Sequence, residues 1–208
     1  MSPFEYLYLA ILFILGVYSA FTLKKGVFII KLYAIVTLLT EAAGYFYLYK
    51  FNHAFTPLYN VFTFFEIGIW LAFYFQITQR PLNFRFWLIL GVCVLLLSYL
   101  GGFDISLFNH QGIVLNNLIV TFLIGLYFFH ILRKNLDLDG YFIIMAGALF
   151  YHTGGVLLNG LIMLIANTDL GAAKKLYNIN SVLNIFFYGL ILWGLISKDR
   201  ETKVSLSE

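Results

Sequence analysis

Two glutamates stand where acids rarely stand. Glu41 lies in "IVTLLTEAAGYFYLY" and Glu66 in "LYNVFTFFEIGIWLAFYF", and neither stretch holds a basic residue. A carboxyl in such surroundings can take a cation or an amine, relay a proton, or act as a general acid or base. His152 is a candidate base or ligand beside them, and Asn117, Asn159 and Asn184 add neutral hydrogen-bonding groups in equally apolar stretches. The competing role for each is structural: a polar link that pins two helices together. A Glu-Glu-His metal set is conceivable, but no H-x-x-E-H or H-E-x-x-H spacing occurs, so no metal centre is assigned. Ser98 in "LSYLGG" has no base near it, and no phosphate-binding loop, CxxC pair or G-x-S-x-G turn is present. The sequence therefore calls for no cofactor and names no reaction.

Helical spacing sorts these residues onto faces. Glu41, Tyr45 and Tyr49 recur at i, i+4 and i+8; Glu66 and Trp70 pair at i, i+4, as do Asn117 and Thr121. His152, Gly155 and Asn159 share a face, and Asn180, Asn184 and Tyr188 form another stripe. The candidate ligand-binding set is Glu41, Glu66, Asn117, His152, Asn159 and Asn184, with Tyr45, Trp70 and Tyr188 beside them.

The elements that carry them are membrane spans. The chain of 208 residues is 62% hydrophobic and only 11% charged, against about 25% charged in a soluble domain. A span needs roughly 20 apolar residues. Seven stretches qualify: 4–23, 27–49, 58–77, 86–102, 112–132, 141–166 and 177–197. The breaks between them are short, so the expectation is one polytopic domain over 1–208, with a mobile tail after Ile196. No cleavable leader is evident, and the lone Cys93 cannot form an intrachain disulfide. Lys24, Lys25, Arg80, Arg85, Arg133, Lys134, Lys198, Arg200 and Lys203 fall on one side, and Lys50, Lys174 and Lys175 on the other. The positive-inside rule then puts the N-terminus outside and the C-terminus in the cytoplasm. Lys31, one turn into the second span, is expected to snorkel to the inner surface.

An internal echo orders the spans. "LYNVFTFFE" (58–66) and "LYNINSVLN" (176–184) open alike and end on Glu66 and Asn184. At an offset of 118 residues Glu41 falls on Asn159, Asn60 on Asn178, Thr63 on Ser181 and Glu66 on Asn184. "FILGVYSAFTLKK" (13–25) likewise echoes "FLIGLYFFHILRK" (122–134). The chain thus reads as an all-α, seven-helix integral membrane protein with a 3+1+3 parallel repeat: repeat A over about 4–80, a linker helix over 86–102 and repeat B over about 112–198. At 1.5 Å per residue Glu66 and Asn184 both lie about 11–12 Å below the outer surface. One copy offers acids and the other amides at matched positions, which would give a pocket one acidic wall and one neutral wall.

In layout, though in no motif, the chain resembles SWEET-type sugar transporters and seven-helix rhodopsins. A rhodopsin-like pigment implies a Schiff-base lysine in the last span, and 177–197 contains none. SWEET-like carriers imply prolines within helices, whereas Pro3, Pro57 and Pro81 sit at span edges. No family is assigned. The expected function is a multi-pass protein of the cell (inner) membrane whose outward-facing polar pocket binds a small polar or amphiphilic molecule, as a small carrier or a sensor. A scaffold subunit of a membrane complex and an intramembrane lipid-modifying enzyme using Glu/His acid–base chemistry are the alternatives. The expected partners are membrane lipid, that small ligand and another membrane protein; the basic residues flank spans and give no nucleic-acid signal.

Overall fold

The computed structural model describes residues 2–23, 27–52, 56–78, 110–134, 139–165 and 170–205. The candidate linker helix over 86–102 lies outside the described residues. Among those described there are six α-helices and no strands: α1 (Pro3–Phe21), α2 (Phe28–Phe51), α3 (Thr56–Thr78), α4 (His110–Lys134), α5 (Gly140–Ile165) and α6 (Leu170–Ser205). Each is long and apolar enough to cross a membrane. A helix suits that setting because it satisfies its backbone polar groups within the segment.

Local chemistry fixes several ends. Ser2 and Glu5 form a capping box at the start of α1, with Pro3 in the first turn, where its missing N–H costs nothing. Asn52 closes α2 in the left-handed conformation, φ 57°. The Asp139 carboxylate accepts from the backbone N–H groups of Tyr141 (3.0 Å) and Phe142 (3.2 Å), capping α5.

The helices form a closed ring in which each packs on the next and α6 returns to α1. Their directions follow from the contacts at one end. Phe73 of α3 meets Tyr141 of α5 with ring centroids 6.1 Å apart, and Phe128 of α4 meets Phe142 at 5.3 Å. Lys198 of α6 reaches Asp139 at 2.7 Å, and Asp199 bonds Lys31 of α2 at 2.9 Å and Tyr18 of α1 at 2.8 Å. The C-terminal ends of α1, α3, α4 and α6 therefore gather with the N-terminal ends of α2 and α5. We refer to this as the ion-paired end. At the far end Tyr8 of α1 meets Tyr45 of α2 (3.2 Å). It follows that α3 and α4 run in the same direction, although they are consecutive among the described helices.

The bundle is apolar outside and buries a set of polar side chains within an apolar core. Phe13, Phe21, Phe46, Phe65, Phe122, Phe129 and Leu164 are exposed, whereas Ser19, Thr37, Asn116, Asn117 and His152 are buried. Such a surface suits lipid and would be costly in water. Aliphatic and aromatic side chains such as Leu12, Leu15, Ile30, Ile124, Ile144, Ile191 and Leu195 fill the core at full burial. At the ion-paired end a Cβ on Gly194 would come within 2.6 Å of the Gly140 carbonyl oxygen, so α5 and α6 touch backbone to backbone there.

Two expectations are corrected. Lys31 does not snorkel: its side chain is 0% exposed and its ammonium bonds both Asp199 oxygens (2.9 Å each) and the Thr22 carbonyl (3.0 Å). The segment after Ile196 is helical to Ser205, continuous with α6. Lys198 and Asp199 hold it by their pairs to Asp139 and Lys31, and strong helix formers such as Lys203 and Glu201 follow.

Candidate functional site

A cavity of about 230 Å³ lies between α2, α3, α4, α5 and α6, far above the roughly 10–15 Å³ needed for one water. It runs from the N-terminal part of α3 and α4 to the middle of the bundle. Glu41, Glu66, Asn117, Asn159, Asn184 and Tyr188 of the candidate set all line it. Tyr45, Trp70 and His152 are not among the lining residues. Tyr45 turns to Tyr8 instead (3.2 Å), and Trp70 and His152 lie fully buried, 5.5 Å apart and edge to face.

The two acids differ in what their neighbours bring. Glu66 accepts from Tyr33 Oη at one oxygen (2.9 Å) and from Asn116 Nδ2 at the other (2.7 Å), so one carboxyl ties α2, α3 and α4 together. Glu41 is only half-buried, and its hydrogen bond is a long one from Tyr59 Oη (3.4 Å). Gly44 makes room for that tyrosine, since a Cβ there would overlap its hydroxyl. Glu66 is thus committed to the fold, whereas most of Glu41's accepting capacity is uncommitted.

The histidine is engaged elsewhere. His152 Nδ1 lies 2.7 Å from Asn117 Oδ1, and the close approach needs Gly155, where a Cβ would fall 2.5 Å from Asn117 Nδ2. Neither glutamate is a hydrogen-bond partner of His152. A ring cluster lies beside the cavity: Tyr151 stacks on Phe187 (4.4 Å, 9°), and Trp70 packs on Tyr33 (5.7 Å) and Phe187 (6.1 Å). Beyond it, at the ion-paired end, stand the two charge pairs.

The sequence pattern does not single out Tyr33, Thr37, Thr40, Tyr59 and Tyr151, yet all five line the cavity. Two signals point to them. Tyr33, Thr37 and Glu41 recur at i, i+4 and i+8, so the Glu41 stripe runs back along α2 instead of forward to Tyr49, which is 89% exposed. The offset of 118 also carries Tyr33 onto Tyr151, Thr37 onto Gly155, Thr40 onto Leu158 and Glu41 onto Asn159, and all eight line the cavity. Phe62 and Asn180, and Glu66 and Asn184, are further matched pairs in the lining.

Fold and site together define a helical, membrane-type bundle with a polar cavity in an apolar core. Comparison with protein-family models, with characterised proteins and with solved structures returns no match.

Proposed function

We propose that this chain is a seven-span membrane protein, one domain over 1–208, that binds a small polar or amphiphilic ligand in the cavity between α2, α3, α4, α5 and α6, as a small carrier or a sensor. The observation that carries this reading is the cavity itself: both glutamates and three of the candidate asparagines face one space in an otherwise apolar bundle. Two facts support the 3+1+3 parallel repeat over about 4–80 and 112–198. α2 and α5 contribute lining residues at matched positions. α3 and α4 run in the same direction, so Thr78 and His110 stand at opposite ends of the bundle, as a 3+1+3 layout requires. The excess of Lys and Arg at the ion-paired end favours a cytoplasmic location for that end, in the cell (inner) membrane, and leaves the cavity facing outward.

A second reading has its own observation. The Glu66–Tyr33–Asn116 and His152–Asn117 links are the kind of polar glue that a scaffold subunit would use. Accessibility separates the two. In a Cys93→Ser background, Thr40→Cys, Thr63→Cys and Asn180→Cys are to be treated, in lipid vesicles, with a small water-soluble thiol reagent. Ala148→Cys, at a fully buried core position, is the control. The ligand-binding reading expects labelling at the three cavity positions and none at Ala148. Unlabelled cavity positions would leave the scaffold reading.

A further inference from the structure

We infer that the cavity ligand is a small organic cation, an ammonium compound held by Glu41; this rests on the ligand-binding reading above and names the class of ligand. The argument is an inventory of what the wall offers. Among the described residues its lining contains two carboxyls and no Lys, Arg or His. Each Glu66 oxygen already accepts a short bond, from Tyr33 or Asn116, whereas Glu41 accepts one long bond and is the carboxyl with more capacity to spare.

Five of the wall's donor-bearing side chains already donate within the protein. Thr37 Oγ1 donates to the Tyr33 carbonyl (2.8 Å) and Thr63 Oγ1 to the Tyr59 carbonyl (3.0 Å), so both hydroxyls turn only lone pairs to the cavity. Asn159 Nδ2 donates one N–H to the Gly155 carbonyl (2.9 Å), and its Oδ1 remains an acceptor. Tyr33 and Tyr59 spend their protons on the glutamates. Asn184, only 8% exposed, carries an Oδ1 with no hydrogen-bond partner among the described residues. A buried acceptor without a donor is costly, and a donor-bearing ligand relieves it.

An underused carboxylate, several acceptors turned to the cavity and no cationic side chain among the described lining residues match a group with several N–H donors and a positive charge. Tyr59, Phe62, Tyr151 and Tyr188 supply aromatic surface in the same lining, which favours an organic cation over a hydrated metal ion. The space is also too large for a bare ion and falls below the roughly 300 Å³ at which drug-sized sites begin, so a compact amine fits. Among the described residues no three His, Cys, Asp or Glu side chains gather as a metal cage would require.

The test uses the full-length protein in detergent and a panel of probes: methyl-, butyl-, tetramethyl- and phenethylammonium chloride, with butanol and phenethyl alcohol as neutral counterparts and sodium chloride as the inorganic cation. Binding is read by calorimetry and by the shift in melting temperature. At least one ammonium probe should bind saturably, with its alcohol counterpart and sodium at least tenfold weaker. Glu41→Gln should weaken it at least tenfold at an unchanged melting temperature of the free protein, and Asn184→Leu should weaken it while keeping the fold. Alcohols binding as tightly as ammonium ions, or indifference to Glu41→Gln, overturns the cation assignment and leaves the cavity as a site for another ligand. Sodium competing at equal concentration overturns it in favour of an inorganic cation. No binding by any probe overturns it too, and the cysteine labelling above then shows whether the ligand-binding reading falls with it.

Discussion

Removing Asp199 should expose how much the ion-paired end holds the bundle together. Lys31 is 0% exposed and Asp199 8% exposed, and the ammonium lies 2.9 Å from each carboxylate oxygen. Tyr18 Oη donates to the same carboxylate at 2.8 Å. Asp199→Ala therefore leaves a buried cation without its counter-charge and a phenol without its acceptor. Breaking a buried pair by removing one partner costs about 3–5 kcal/mol. For a chain of 208 residues, 1 kcal/mol moves the melting temperature by about 2–4 °C, so the expected drop is roughly 6–20 °C. The assay is thermal unfolding in detergent, followed by loss of monodisperse protein at one fixed scan rate, because membrane bundles seldom refold on cooling. The double variant Lys31→Met/Asp199→Leu separates charge from packing. It removes both ions at similar volume and should recover most of the loss, since a well-packed apolar pair is often as stable as the buried ion pair it replaces. A single variant as stable as the parent, or a double variant no better than the single, would refute the reasoning.

Three further expectations follow from the same geometry. Glu66→Ala should destabilise by about 1–3 kcal/mol for each of the two donors left unmet, Tyr33 Oη and Asn116 Nδ2. Glu66→Gln should be nearly silent in the same melting assay, because Asn116 can turn its amide and present the Oδ1 that now lacks a partner. Gly194→Ala should cost about 1–3 kcal/mol, since the added methyl meets the Gly140 carbonyl and Ile144, whereas Gly189→Ala, with nothing within 4 Å, should be neutral or stabilising. Cysteines placed at Ser2 and Ser205 in the Cys93→Ser background should react with an impermeant reagent in intact cells at Ser2 only; the reverse pattern would invert the topology.

The helices were legible because a bilayer leaves the sequence little freedom. Long uncharged runs broken by "KKG" or "RKNLDLDG" mark spans by hydropathy alone, and α1 to α5 start and stop within a few residues of those limits. α6 escapes that logic at both ends: it begins at Leu170 and runs to Ser205. Hydropathy cannot see a polar helix held by Asp139 and Lys31. The site was legible as a set of polar residues and illegible as a set of bonds. Glu41 and Glu66 look alike in the sequence; they part because Tyr33 and Asn116, from two other helices, converge on Glu66. Asn116 and Asn117 are neighbours in the chain, yet one serves Glu66 and the other His152. Rotation about α4 decides that division, and no local spacing encodes it. The Lys31–Asp199 pair spans 168 residues of sequence, so a one-helix view assigns Lys31 to the surface.

The most direct test of a ligand site is density from the full-length protein crystallised from a lipid mesophase, grown with and without the tightest-binding ammonium probe. The reading predicts a seven-span bundle with non-protein density in the cavity, in contact with the Glu41 carboxylate and Asn184. A bundle closed over that space, with Glu41 sealed against a protein partner or turned to lipid, would contradict it.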